Sequence, residues 1–242
     1  YVMPEVDKCR LQESFRTFVA NYDKVNIHVE PVCYSTDDTA ELAEIFNGNE
    51  ALIKKYAEKL SISFERVEYA KNNFIRVVKV MKAFILNDSV KSFLCLNNKL
   101  PQENKGLFDI KLLEEFADAI IKLYGIKGLK GKDLLYSINS EDYDAKRAEF
   151  IQRLSKGEKL FVISSYNTVG AGQNLQYKAP GNATIVAVND YDRGDMEKDF
   201  DCIYLEKPTN LLVNVDSKKG IEAEDLIRFV YQMEFLLSLI HI

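Results

Sequence analysis

The sequence predicts an α/β fold: a mostly parallel sheet with helices on both faces, preceded by a mainly helical segment. Three observations carry that prediction. Between residues 91 and 164, short apolar runs alternate with amphipathic stretches in the order strand, helix, strand, helix, strand. Alternation at such spacing implies right-handed crossovers and parallel pairing. Residues 1–90 read instead as mostly helix, with one short extended piece. The composition, 47% hydrophobic and 29% charged over 242 residues, provides a core large enough for one large domain, or for one domain with a helical appendage.

In chain order, residues 24–30 alternate apolar and polar side chains, as a half-buried strand does. Thr36, Asp37, Asp38 and Thr39 form an N-cap cluster ahead of an amphipathic stretch that reaches Phe46. Ser63 is expected to open a long helix, with Val67, Ala70, Phe74, Val77, Val78, Met81 and Ile85 on its apolar face. The other face carries Lys71, Arg76, Lys79 and Lys82. Such a row can meet phosphate, although a solvated helix face is the favoured reading. Residues 91–96 are an apolar run expected to be a buried strand, and 109–124 a strongly amphipathic helix stopped by Gly125. Strands are expected at 133–138 and 159–164, joined by a helix from Ser140 to about Leu154, with acids in its first turn. Residues 184–188, 201–205 and 211–215 are further strand candidates, and a last helix is expected to start near Ile221.

The composition also limits the chemistry. Four cysteines, Cys9, Cys33, Cys95 and Cys202, are widely spaced and form no CxxC pair, which favours isolated reduced thiols in a cytoplasmic protein. With two histidines, His28 and His241, a His-based triad or a His-rich metal site lacks its raw material, and no metal ligand set is expected. No stretch is long and apolar enough to span a bilayer, and no membrane partner is expected. A net charge of −5 means that any nucleic-acid contact has to rely on a local patch.

The most informative segment follows the expected strand at 159–164. It runs Ser164, Ser165, Tyr166, Asn167, Thr168, Val169, Gly170, Ala171, Gly172, Gln173, Asn174, Leu175, Gln176. It sits at the carboxyl end of a parallel strand, where α/β proteins bind ligands. Two glycines one residue apart allow close backbone approach. A dinucleotide fingerprint would need glycine where Leu175 stands, and a methyltransferase loop an acid on the preceding strand. A nucleotide-cofactor transferase with a divergent loop, a purely structural turn, and a non-catalytic Rossmann-like binding module remain open readings.

Residues 91–176 resemble the second RecA-like domain of superfamily 2 helicases and translocases. The resemblance rests on the apolar strand at 93–96 and, after a helix and a second strand, on Arg147, Leu154 and Gly157 in and after the helix expected from Ser140 to about Leu154. It continues in the strand at 160–163, which leads directly into Ser165 and Tyr166, and in Gly170, Gly172, Asn174 and Leu175, matching a Gly-x-Gly-x-Asn-Leu core. It implies a RecA-like three-layer α/β/α domain over 91–236, incomplete at its end, with 1–90 as a mainly helical accessory region. The string 237–242 resembles a translated sequencing adapter and is set aside.

What the resemblance implies is half of an ATP-dependent motor moving on DNA or RNA. Ser164, Ser165, Tyr166 and Thr168 would meet the nucleic-acid backbone, with Lys130 and Lys132 in a basic loop near it. Gly170, Gly172, Gln173 and Asn174 would lie by the nucleotide. ATP and Mg²⁺ would be anchored mainly by a first RecA-like domain of the same parent, because this chain holds no GxxxxGK[ST] loop and no DExx tetrad downstream of one. No Gln-x-x-Gly-Arg-x-x-Arg string is present either, leaving Arg228 and Arg193 as weak arginine-finger candidates. The polar, Asp-rich stretch 180–199 has no assigned role.

Overall fold

The computed structural model describes residues 28, 30–33, 35, 37–65, 67–98, 100–101, 108–139, 141, 143–166, 168–169, 175–181, 183 and 197–206. Among the described residues three helices come first: α1 (Asp38–Ile45), α2 (Glu50–Ser63) and α3 (Glu68–Leu86). Asp37 caps α1, its carboxylate accepting from the Thr39 and Ala40 N–H groups at 2.9 and 3.3 Å. Ser63 does not open a helix; it ends α2, and α3 begins five residues later at Glu68. The break follows from packing. Phe64 is buried at the corner, its ring 5.4 Å from that of Phe74, so the chain turns where continuous helix would expose it.

The α/β part follows as β1 (Ser92–Asn97), α4 (Ile110–Leu123), α5 (Gly131–Leu134), β2 (Leu135–Ser137), α6 (Tyr143–Ser155), β3 (Leu160–Ser165), β4 (Tyr177–Lys178), β5 (Glu197–Lys198) and β6 (Cys202–Leu205). Four strands form one sheet in the order β2-β3-β1-β6, every pairing parallel. β4 and β5 pair antiparallel apart from it. The segment expected as strand at 133–138 is split. The Lys130 carbonyl accepts from the Asp133 and Leu134 N–H groups and closes one helical turn, with buried Leu134 inside it. The 128–133 stretch is therefore partly helix, not open loop.

β1 and β3 are buried along their whole length, and their alternating side chains feed two cores. Phe93, Cys95, Phe161 and Ile163 face a large core shared with α1, α2, α3 and α4. Leu94, Leu96, Leu160 and Val162 face a smaller one closed by Phe150 and Leu154 of α6 and by Tyr177. Helices thus cover both faces of the sheet. Phe93 and Phe161, partners across β1 and β3, stack at 4.8 Å. Residues on either side of position 90 contribute to one core, so α3 packs on the sheet as a covering helix.

The path from β1 to β2 crosses β3 by way of α4 on the first face. The return from β2 to β3 uses α6 on the other face, in the opposite direction. Both crossovers have the same hand, as parallel α/β units require. Of the strand expected at 24–30, only His28 and Glu30 are described, and neither is in a strand. The strands expected at 184–188 and 211–215, and the helix expected from Ile221, lie outside the described residues. The expected strand at 201–205 is β6. No helix among the described residues is long and apolar enough to cross a membrane.

Candidate functional site

All four sheet strands point the same way, so their carboxyl ends form one rim. Asn97, Ser137, Ser165 and Glu206 mark it, with Asn97 in register beside Ser165. Beyond β3 the chain makes a tight turn. The Thr168 and Val169 N–H groups both donate to the Ser165 carbonyl at 3.0 Å. The Thr168 N–H also donates to Ser165 Oγ at 3.2 Å, and the Ser165 and Thr168 hydroxyls are 2.9 Å apart.

That geometry decides which groups are left for a ligand. The two backbone N–H groups are consumed inside the turn. Of the hydroxyl pair, one proton closes the internal bond, which leaves a second hydroxyl proton at the end of β3. Ser165 is buried and accepts from the Thr168 N–H, and either hydroxyl can be the donor of the bond between them. Val169 and Leu175 are both buried in the smaller core, so the chain is anchored just before and just after the 170–174 segment.

Ser164 and Tyr166 are placed differently. Ser164 is 0% exposed and donates to the Ile138 carbonyl at 3.2 Å, tying β3 to the end of β2. The Tyr166 hydroxyl donates to the Glu206 carbonyl at 2.6 Å. Lys130 and Lys132 are exposed, but Lys130 precedes α5 and Lys132 lies within it, at the amino end of β2. They lie on the rim opposite the Ser165 turn. The structure therefore brings Ser165, Tyr166 and Thr168 together and separates the two lysines from them. Gly170, Gly172, Gln173, Asn174, Arg193 and Arg228 lie outside the described residues. In α6, Arg147 is half-buried and partnered, Leu154 is core, and Gly157 ends the segment at φ 81.

Residues that the sequence reading passed over complete the rim. Asn73 of α3 and Asn97 exchange reciprocal amide bonds of 3.3 and 3.2 Å in a buried pair. Asn97 also accepts from the Asn98 N–H at 2.7 Å. Glu206 is 2% exposed and accepts from Arg76 at two points, 2.6 and 3.2 Å, and from the Tyr204 hydroxyl at 2.6 Å. Burial works against the Arg76 charge, but the fork to Glu206 outweighs it and raises the pKa. Burial and the neighbouring Glu206 hold the Tyr166 and Tyr204 phenols well above their ordinary range, so both act as hydrogen-bond donors throughout neutral pH. A signal existed for these residues: Asn97, Asn98 and Glu206 are polar groups directly following apolar strands.

The basic row on α3 also resolves differently from its reading. Lys71 pairs with Asp38 and Glu68, Lys79 with Glu41 and Glu44, and Arg76 with Glu206. Lys82 donates to the Glu44 carbonyl. Lys71, Arg76 and Lys79 are thus paired with acids from α1, from α3 itself and from the residue after β6, while Lys82 ends on a main-chain carbonyl. Among the described residues, no group of three or more His, Cys, Asp or Glu could hold a metal ion. No protein-family model matches the chain, and no curated protein matches it.

Proposed function

We propose that the chain is the second RecA-like domain of an ATP-dependent superfamily 2 helicase or translocase, acting on DNA or RNA. The supporting observation is the Ser165–Thr168 turn, which sets a pair of hydroxyls where a parallel, helix-covered strand ends at the sheet's carboxyl rim. Ligands of open α/β sheets bind at that rim. A hydroxyl donor grips a phosphate oxygen without reading sequence, as a motor stepping along a strand requires.

In this reading Thr168 is the phosphate donor and Ser165 its orienting partner. ATP and Mg²⁺ are bound mainly by a first RecA-like domain of the same parent. When bound, the nucleotide supplies the free energy of hydrolysis; the role of this domain is to change its grip on the strand with nucleotide state.

Anisotropy of a fluorescein-labelled 20-mer oligothymidylate, titrated with the chain at low salt, tests the strand contact. Thr168→Ala is expected to weaken binding about tenfold, the order expected for a hydrogen bond to a charged group. No binding by the unaltered chain, or equal binding by the variant, would overturn the reading. A second check is genetic: the complete gene should encode GxxxxGK[ST] and DExx motifs upstream of Tyr1.

A further inference from the structure

Tyr69 has an unusual position for a large aromatic residue. It is 53% exposed in the first turn of α3, although the apolar face of that helix is buried from Ala70 to Ile85. α3 runs antiparallel to β1, so its first turn stands over the carboxyl rim. The Asn73–Asn97 amide pair fixes that alignment, and the Tyr69 hydroxyl accepts from Asn98 Nδ2 at 3.4 Å. Asn98 directly follows Asn97, the register partner of Ser165. The ring is thus tied to Asn98 on the same rim as the polar turn, while much of its surface stays open.

The charges of α3 near this rim are already engaged. Arg76 is forked to Glu206, and Lys71 bridges Asp38 and Glu68. Grip on a strand here therefore draws on neutral donors and on apolar surface more than on free cations of this helix. An exposed ring on the same rim as a hydroxyl donor for phosphate matches the way sequence-tolerant single-strand sites are built, in which backbone contacts are supplemented by base stacking.

We infer that Tyr69 is a base-stacking platform for single-stranded nucleic acid, receiving a nucleotide whose phosphate is held by the Ser165–Thr168 turn. The inference rests on the proposed strand contact and adds to it a specific partner atom set: the π-face of a base. Asn98 holds the ring through its hydroxyl, and the ring itself does the stacking.

The chain contains no tryptophan, so Tyr69→Trp introduces a single reporter at this position. Its emission is expected to be quenched by oligothymidylate and unchanged by an oligomer of abasic sites of equal length. By anisotropy, Tyr69→Ala should weaken oligothymidylate binding about fivefold or more and leave abasic binding within about twofold. Tyr69→Phe should bind nearly as the unaltered chain does. Thr168→Ala should weaken both ligands alike, which separates phosphate grip from stacking. Unchanged affinity in Tyr69→Ala, an equal loss on abasic strand, or an unquenched tryptophan would overturn the assignment of Tyr69 while leaving the strand contact standing. Failure of the unaltered chain to bind either oligomer would instead remove the strand contact, and the stacking role with it.

Discussion

Arg76 and Glu206 stand 130 residues apart in the chain and meet in a two-point fork of 2.6 and 3.2 Å. Glu206 joins four parts of the rim at once. Its carboxylate holds α3 through Arg76 and also takes the Tyr204 hydroxyl. Its N–H extends the ladder to the Leu96 carbonyl at 3.0 Å, and its own carbonyl receives Tyr166. Removing the acid leaves a largely buried guanidinium without its counter-charge. Glu206→Ala is expected to destabilise by about 3 kcal/mol, read as a lower urea midpoint at constant slope. Tyr166→Phe, which deletes one hydroxyl bond, should cost about 1 kcal/mol.

Acid sensitivity should trace to Asp201. One oxygen accepts from the Lys91 and Ser92 N–H groups at 2.9 and 3.0 Å and from the Ser92 hydroxyl at 3.1 Å. The other faces Lys198. Burial raises the pKa of this carboxyl, but the Lys198 ion pair and the two N–H donors outweigh it and leave it below its ordinary 3.8. A depressed folded-state value means the stabilisation is complete above 3.8 and is lost as pH falls through the lower folded value. Glu41, drawn below its ordinary 4.5 against burial by Lys79 and the Ser35 N–H, adds in the same direction. Thermal midpoints should therefore hold above pH 5 and drop below about pH 4. Asp201→Asn should lower the midpoint at pH 7 and flatten the acid limb.

Two glycines should fail for different reasons. A Cβ on Gly131 would stand 2.5 Å from the Glu114 carbonyl oxygen, and the Gly131 N–H donates to Asp118 at 2.7 Å. Gly131→Ala has to push α5 off α4, at about 2–3 kcal/mol. Gly125 ends α4 at φ 67 with open space around it. Gly125→Ala should cost about 1 kcal/mol, from backbone strain alone. Urea denaturation of the two variants side by side gives the ranking.

The separation of the two rims makes a binding prediction. Lys130 and Lys132 lie at the amino end of β2, whereas Thr168 lies beyond the carboxyl end of β3. The double reversal Lys130→Glu with Lys132→Glu should change oligothymidylate affinity about twofold or less at 150 mM salt, where the Debye length is about 8 Å. Thr168→Ala should act several times more strongly. A larger effect from the lysines would move the strand path to the opposite rim.

The sequence by itself determined the alternation of elements and many of their ends. Mostly apolar runs became the two central strands, and the 3.6-residue rhythm after Asp109 became α4, closed at Gly125. These signals are local: side-chain period, caps and glycine freedom act within one turn of chain. They also located the polar turn after β3, because its position follows from the strand that precedes it. Tertiary structure alone decided the order β2-β3-β1-β6, the end of α2 at Ser63, and the packing of α3 on the sheet. It alone paired Lys71, Arg76 and Lys79 of α3 with acids, buried the Ser164 hydroxyl, and put Lys130 and Lys132 on the far rim. Each of those depends on which distant segments meet, and ion pairing and burial are properties of a contact between segments. No periodicity within one segment encodes them, so Arg76 reads as a surface charge until Glu206 is seen beside it.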